Sequence, residues 1–174
     1  CEWKVESFSP PDIYSSEKDT VWSFRDRGSW ATHVGDYRGN WSPYIPRNLI
    51  LKYTQPCDWV LDQMVGSGTT LVECKLLCRN GIGVDINQNA IMIARDRLNF
   101  QHHPNAGHDK PTSVKTYVGD ARNLNEITRD SIDLVATHPP YSRIIKYTRK
   151  GTGIADGDLS RLPLDSYLVE MRKV

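Results

Sequence analysis

The chain has 174 residues, of which 22 are basic and 21 acidic, giving a formal net charge of +1. This length suits one domain with a single substantial core, and its 39% hydrophobic and 25% charged residues are ordinary for a globular protein. The sequence has no apolar run near the ~20 residues that span a bilayer, and its acidic first residues do not resemble a signal peptide. Proteins that coat nucleic acid carry a large basic excess, so such a contact would need a local patch here.

The best local patch is a group of four cations within eight residues: Arg143, Lys146, Arg149 and Lys150. We expect DNA to bind there, and an ordinary solvated loop is the alternative. The four cysteines form neither a C-x-x-C pair nor a paired metal spacing: Cys1, Cys57, Cys74 and Cys78. We therefore expect buried free thiols, no metal site and a reducing, cytoplasmic location.

The chain divides into two parts in our interpretation. Residues 1–40 are polar, dotted with aromatic side chains and weakly periodic, which predicts an N-terminal extension that packs on the domain. Residues 41–174 form the domain. A short helix is predicted over 46–53, because a proline suits the first turn, where its missing N–H is not needed.

Strands and helices then alternate along the chain. The predicted strands cover 59–62, 82–85, 114–118 and 132–137, and the predicted helices cover 71–78, 90–98 and 167–171. We expect Gly81 to cap the first of these helices and 101–113 to form a loop. The alternation predicts an α/β fold with an open, doubly wound parallel sheet and helices on both faces.

Ligands of such sheets bind beyond the carboxyl ends of the strands, where this sequence has Asp62, Asp85 and Asp120. The turn 66–68, Gly-Ser-Gly, lets the backbone approach a ligand closely. A phosphate-binding P-loop needs Lys after the second Gly, and a dinucleotide fingerprint needs Gly or Ala three residues after it. Thr69 and Leu71 stand there instead, so both of these sites are disfavoured.

Residues 62–70, Asp-Gln-Met-Val-Gly-Ser-Gly-Thr-Thr, resemble the first motif of the DNA amino-methyltransferases, the N6-adenine and N4-cytosine enzymes. Gln63 replaces the usual Pro of that motif. The resemblance implies a Rossmann-like methyltransferase fold with S-adenosyl-L-methionine as the cofactor. It also implies that the turn Met64–Gly68 wraps the methionine moiety, Asp85 binds the ribose hydroxyls and Asp120 accepts from the adenine amino group.

The segment 41–46 resembles the part of these enzymes that closes over the methionine end of the cofactor. The cofactor-binding residues implied by the resemblance are Tyr44, Pro46, Asp62, Met64, Gly66, Gly68, Thr69, Thr70, Asp85, Ile86, Asp120 and Ala121.

The fourth predicted strand ends in a tetrapeptide that resembles the catalytic motif of the same family: His138, Pro139, Pro140 and Tyr141. An exocyclic amine is a poor nucleophile because its lone pair is delocalised into the ring. The side chain at 138 and the Pro139 carbonyl can accept its two hydrogens, and tandem prolines fix that carbonyl. Tyr141 offers a face for a flipped base. A Pro-Pro turn over a buried Tyr141 is the purely structural alternative.

His138 departs from the family, which has Asp, Asn or Ser at this position. Histidine accepts a hydrogen bond only while one ring nitrogen is unprotonated, so we expect activity to fall on acidification near its ordinary pKa of ~6.5. In an alternative interpretation, Pro139 binds the amine alone and His138 touches the base or the neighbouring strand.

The family resemblance covers residues 40–174 and implies three further strands after the catalytic motif. We therefore expect either a second chain or segment that supplies them, or a fragment, because the fourth strand would otherwise have an open edge. The implied function is methylation of adenine N6 or cytosine N4 of a flipped DNA base. The alternatives are an RNA guanine-N2 or protein-glutamine methyltransferase, or a non-catalytic cofactor-binding subunit.

Overall fold

The computed structural model describes residues 2–11, 15–102, 112–145 and 156–174. Its helices are α1 (Tyr44–Tyr53), α2 (Thr69–Leu76), α3 (Gln88–Arg97) and α4 (Leu164–Met171), and a short 3₁₀ helix covers Leu159–Arg161. Its strands are β1 (Trp59–Asp62), β2 (Asn80–Asp85), β3 (Val114–Val118) and β4 (Leu134–Val135). Within the described ranges no helix has the length and apolar character needed to cross a membrane.

The four strands form one parallel sheet in the order β3-β2-β1-β4. Strands β2 and β3 are added in turn on one side of β1, and β4 then pairs with β1 on its other side. The direction in which strands are added therefore reverses between β1 and β4. A reversal of this kind opens a crevice at the carboxyl ends of the central strands. The predicted fold class, an open parallel α/β sheet of the Rossmann-like type, is confirmed.

Helix α1 packs against α2, α2 contacts β1 to β3, and α3 contacts β2 and β3. Fully buried Leu71 of α2 lies against β2, where a Cβ added to Gly81 would stand 2.9 Å from the Leu71 Cδ2 atom. Gly81 therefore provides room for α2 rather than capping it, which corrects the predicted cap. The helix ends instead through Cys78, which adopts a left-handed φ of 60°.

Several element boundaries differ from the predicted ones. Helix α1 begins at Tyr44, two residues before the prediction, and Pro46 is still tolerated because the first four N–H groups of a helix have no partner inside it. Helix α4 begins at Leu164, directly after Pro163. Strand β4 is shorter than predicted because only two of its residues pair with β1, and Val135 is 52% exposed.

The part of the chain before α1 packs against α2 and α3. Trp3 donates its backbone N–H to the Asn99 carbonyl at 2.8 Å. Trp30 is 5% exposed and belongs to a buried cluster with Tyr44, Val72, Leu76 and Phe100. These contacts bring residues 37–41 to the carboxyl ends of β1 and β4.

Candidate active site

A cavity of about 920 Å³, counted with its open mouth, lies at the carboxyl ends of β1, β2 and β4. The predicted cofactor residues that line it are Asp62, Met64, Gly66, Thr69, Asp85, Ile86 and Ala121, and the predicted catalytic residues are His138 and Pro140. The structure therefore brings the glycine-rich turn, the carboxylate at the end of β2 and the Pro-Pro motif into one pocket.

The glycine-rich turn (residues 65–68) joins β1 to α2. The Gly68 N–H donates to the Val65 carbonyl at 2.9 Å, and Gly68 has a left-handed φ of 88°. A Cβ on Gly68 would lie 3.0 Å from the Cβ of Ala94, so α3 approaches the turn too closely for any side chain there. This glycine thus contributes through backbone shape and close packing rather than by lining the pocket.

Asp85 connects the glycine-rich turn to the N-terminus of α3. Its Oδ2 atom accepts from the Gly66 N–H and its Oδ1 atom from the Asn87 N–H, both at 2.8 Å. Burial raises the pKa of Asp85, while these two backbone hydrogen bonds act in the opposite direction. Each carboxylate oxygen retains a further lone pair, so the group can still accept hydroxyl protons of a ligand.

Asp62 is 2% exposed and ties the end of β1 to the first turn of α2. The Thr70 hydroxyl donates to its Oδ2 atom at 2.5 Å, and the Met64 N–H donates to its Oδ1 atom at 3.2 Å. Burial raises the pKa of this carboxyl to about 6, against the effect of these hydrogen bonds. Thr70 therefore acts on the site through Asp62.

The Thr69 hydroxyl is a buried polar group at the first position of α2. The residue is 3% exposed and lines the cavity, and its Oγ1 atom has no hydrogen-bond partner among the described residues. A buried hydroxyl without a partner costs free energy, and it can be satisfied by a polar ligand group. The pocket thus combines a close-approach turn, an unsatisfied hydroxyl and an accepting carboxylate.

Asp120 follows β3 and makes contacts within the protein. Arg122 donates from Nε to Oδ1 at 2.9 Å and from Nη2 to Oδ2 at 2.5 Å, and it also pairs with Glu170 of α4. The Arg122 side chain lowers the pKa of Asp120. A cofactor adenine that bound Asp120 would share this carboxylate with Arg122.

Two predicted cofactor residues lie in the core instead of the pocket. The Tyr44 ring, 6% exposed, stacks on Phe24 with ring centroids 4.9 Å apart and packs against Trp30. Pro46 is fully buried in α1. This corrects the expected placement of both residues: α1 turns them toward the interior, and the residues just before it reach the cavity.

His138 and Tyr141 of the Pro-Pro motif contact each other at the end of β4. The distance between the His138 Nε2 atom and the Tyr141 hydroxyl oxygen is 2.5 Å. Burial lowers the pKa of His138, while a hydrogen bond to the Gly39 carbonyl acts in the opposite direction. The Tyr167 hydroxyl of α4 donates to the Pro140 carbonyl at 2.7 Å, which supports the loop that follows Pro139.

Gln63, Val65 and Ser67 of the first motif also line the cavity. Sequence reasoning missed the lining residues that come from outside the motifs: Tyr37, Gly39, Asn40, Asn87, Gly157, Asp158 and Leu159. Arg97 links the glycine-rich turn to the residue just before Tyr37, because it donates to Ser67 Oγ at 2.7 Å and also pairs with Asp36. The aromatic residues before residue 41 predict that this segment packs on the domain, but they do not indicate which surface it contacts. Nothing in the local pattern around Gly157 signalled a pocket.

The predicted basic patch is described only in part. Arg143 is exposed, and its Nε atom donates to the Arg161 carbonyl at 3.1 Å. Lys146, Arg149 and Lys150 lie outside the described residues. In the described part of the chain, no group of three or more metal-ligating side chains comes together.

Comparison with known proteins identifies relatives of the chain. The family model of the DNA methylases (N6_N4_Mtase) matches residues 2–96, which include the glycine-rich turn and Asp85 but not Asp120 or His138. The type II methyltransferase M.HpaI of Haemophilus parainfluenzae is 49% identical over 97 residues, which are 52% of this chain and 29% of that protein. M2.DpnII of Streptococcus pneumoniae is 42% identical over 62 residues, 36% of this chain and 23% of that protein.

A curated tRNA enzyme and a solved structure are also similar to parts of the chain. The tRNA (guanine(10)-N2)-dimethyltransferase of Methanothermobacter thermautotrophicus is 30% identical over 106 residues, 60% of this chain and 29% of that protein. Among solved structures, an rRNA methylase from Streptococcus thermophilus superposes with a TM-score of 0.42 at 14% identity, covering 57% of this chain and 53% of that one. The chain spans less than a third of the length of these curated relatives. Because the family model matches more than half of its residues, the chain belongs to the DNA methylase family.

Proposed function

We propose that this chain forms the cofactor-binding and catalytic part of an S-adenosylmethionine-dependent DNA methyltransferase. It would modify adenine N6 or cytosine N4. The observation that carries the proposal is that one cavity is lined by Gly66, Asp85, His138 and Pro140. A methyl donor at the turn and an amine at the Pro-Pro motif would therefore meet in the same space.

The residues present fit the cofactor. The Gly66–Gly68 backbone can pass close to the methionine moiety, and the unsatisfied Thr69 hydroxyl can bind one of its polar groups. Asp85 would accept the ribose hydroxyl protons through its remaining lone pairs, and Ile86 and Ala121 would pack against the adenine. S-Adenosylmethionine, when bound, supplies an electrophilic methyl group.

The Pro-Pro motif would bind and orient the amine. The exocyclic nitrogen needs its lone pair free of the ring, and two acceptors that bind its hydrogens favour that geometry. The Pro139 carbonyl and the His138 imidazole are those acceptors, and Tyr141, 40% exposed, would stack on the flipped base. The nitrogen would form its new bond to the methyl carbon as the methyl–sulfur bond of the donor breaks, with that electron pair going to sulfur, and the proton lost by the nitrogen would pass to water.

The proposal also includes what covers the open edge of β4 and the exposed apolar side chains of α4. We expect a further segment or a second chain to continue the sheet at β4, because Val135 there is 52% exposed and α4 exposes Leu164, Leu168 and Val169 by half or more. DNA would contact the basic residues that follow the catalytic motif, Arg143 among them. The free thiols of Cys57, Cys74 and Cys78 support a reducing, cytoplasmic location.

The test uses the whole protein with methyl-labelled S-adenosylmethionine and DNA, RNA or protein as the acceptor. Labelled N6-methyladenine or N4-methylcytosine in DNA is the expected product. Label found only in RNA guanine or in protein glutamine would replace DNA with that substrate. Cofactor binding without transfer to any acceptor would identify a non-catalytic subunit.

A matched pair of variants tests the cofactor site itself. Asp85→Ala should weaken S-adenosylmethionine binding by at least about tenfold, equivalent to ~1.4 kcal/mol, measured by calorimetry. Asp130→Asn is the control, because Asp130 is exposed and does not line the cavity, and its affinity should equal that of the wild type. Equal affinity in the two variants would contradict the ribose assignment.

A further inference from the structure

His138 lies between two aromatic rings. The Trp41 ring stacks on the imidazole with centroids 5.4 Å apart and planes within 3° of parallel. The Tyr141 ring meets it edge-on, with centroids 5.3 Å apart and planes at 81°. Offset stacking and edge-on contact are the two favourable geometries for such rings, so the orientation of His138 is determined from both sides.

Trp41 is itself anchored to the core. Its indole packs against the buried cluster that contains Ile50 of α1 and Ala136 beside β4. Its backbone carbonyl accepts from the Arg27 Nη2 atom at 3.2 Å. Because Trp41 is packed against the core, its stacking restricts the orientation of the His138 ring, which follows the end of β4.

The hydrogen bonds of the ring distinguish its two nitrogens. A carbonyl can only accept, so the ring donates to Gly39. A neutral imidazole has one donor and one acceptor nitrogen. The Nε2 atom lies 2.5 Å from the Tyr141 hydroxyl oxygen, and in the tautomer whose Nδ1 atom carries the proton it accepts from that hydroxyl.

We propose that Trp41 is a positioning residue for methyl transfer, whose stacking keeps His138 Nε2 aimed as the acceptor for a hydrogen of the target amine. The inference rests on the proposed function. The amine would take the place of the Tyr141 hydroxyl when the base enters. A carboxylate or amide presents oxygen lone pairs in several directions, but an imidazole accepts in one direction only, in the plane of its ring. Histidine at this position therefore needs a stacking partner.

The first test is a double-mutant cycle in the whole protein. Trp41→Leu keeps an apolar side chain against the core but removes the stacking face. With S-adenosylmethionine saturating, we expect kcat to fall about tenfold, equivalent to ~1.4 kcal/mol. Trp41→Phe should recover most of the rate. In a His138→Asp background, Trp41→Leu should change kcat by less than about twofold, because an aspartate needs no stacking. An equal loss in both backgrounds would overturn the proposal.

A second measurement does not depend on methyl transfer. Hydrogen exchange at the His138 Cε1 position, followed by mass spectrometry of its peptide, gives the pKa of this ring in the whole protein. The groups around it are Tyr141, the Gly39 carbonyl and, behind Pro140, Tyr167. Trp41→Leu should move the pKa toward 6.5 by exposing the ring, and Trp41→Phe should leave it lowered. An unchanged pKa in Trp41→Leu would overturn the positioning role even if the protein methylates DNA. A wild type that transfers no methyl group would instead overturn the proposed function.

Discussion

The indole N–H of Trp30 donates to the fully buried carboxylate of Glu73 at a distance of 2.7 Å. The same carboxylate binds His33 Nε2 and Arg47 Nη1, each at 2.8 Å. Glu73 lies in α2, directly behind the glycine-rich turn, whereas Trp30 and His33 belong to the segment before α1. One buried acid thus attaches the segment that carries Trp41 to the helix that begins at the glycine-rich turn.

Replacing Glu73 by Gln should destabilise the protein strongly. The amide keeps a hydrogen-bonding group for Trp30 but leaves the Arg47 guanidinium, whose side chain is 14% exposed, without its carboxylate. Removing one partner of a buried ion pair costs about 3 kcal/mol or more, to be measured by urea unfolding. Glu126→Gln, at an exposed position, is the control and should stay within about 0.5 kcal/mol of the wild type. Equal unfolding midpoints for the two variants would contradict a linking role for Glu73.

Asp62 should make stability depend on pH in an unusual direction. Burial raises its pKa from 3.8 to about 6, so the folded state binds this proton more tightly than the unfolded state. The free energy of unfolding therefore falls as the pH rises from about 4 to about 6, by up to ~3 kcal/mol from this group.

Asp62→Asn cannot ionise and should lack this contribution. The free energy of unfolding is measured with urea at several pH values for the wild type and the variant. As the pH rises through this range, the value for the wild type should fall relative to that of the variant. Asp130→Asn, at an exposed position, is the control and should follow the wild type. A constant difference between wild type and Asp62→Asn would show that the carboxyl ionises normally.

Gly157→Ala should weaken cofactor binding. Gly157 lines the cavity with a left-handed φ of 87°, and an added Cβ would lie 2.6 Å from Arg122 Nη2 and 3.2 Å from Ile86 Cδ1. The loop that contains Gly157 would have to move away from Ile86, which we propose to contact the adenine. An alanine with a left-handed φ is also strained, by about 1–2 kcal/mol. We expect the Kd for S-adenosylmethionine to rise about tenfold.

Gly28→Ala is the matched control for this effect. Gly28 has the same φ of 87°, but its Cβ would meet Trp30 and Pro43 rather than pocket residues. It should lower stability without changing the Kd. If both variants bind the cofactor equally well, the Gly157 loop does not close the adenine end.

The sequence predicted the parts of this site that depend on local chemistry. Strands β1 and β3 have their predicted bounds, and the glycine-rich turn and Asp85 lie at one cavity because strand ends of a parallel sheet share one edge. His138 also lies there, as the alternation of elements implied.

The contacts missed by the sequence are long-range. The Trp41–His138 stack joins residues 97 positions apart, and its signal is one aromatic residue among several before α1. The resemblance of 41–46 implies that Tyr44 lies at the cofactor, but the helical turn of α1 directs it into the core with Trp30. Arg122, two residues after Asp120, donates to its carboxylate, which a cofactor adenine would also need. The presence of an acid at a strand end does not predict this contact.

As the pH is lowered, the methylation rate should begin to fall at a lower pH than the ordinary pKa of histidine predicts. Burial lowers the pKa of His138 from 6.5, more than the Gly39 hydrogen bond raises it. The neutral ring, which can accept a hydrogen from the amine, therefore persists to lower pH. With DNA and S-adenosylmethionine saturating, kcat should reach half its plateau below pH 6.5. His138→Asp is the control, because a carboxylate with an ordinary pKa of ~3.9 accepts throughout this range and should remove the fall in rate. A midpoint above 6.5, or the same fall in His138→Asp, would show that another group controls the rate.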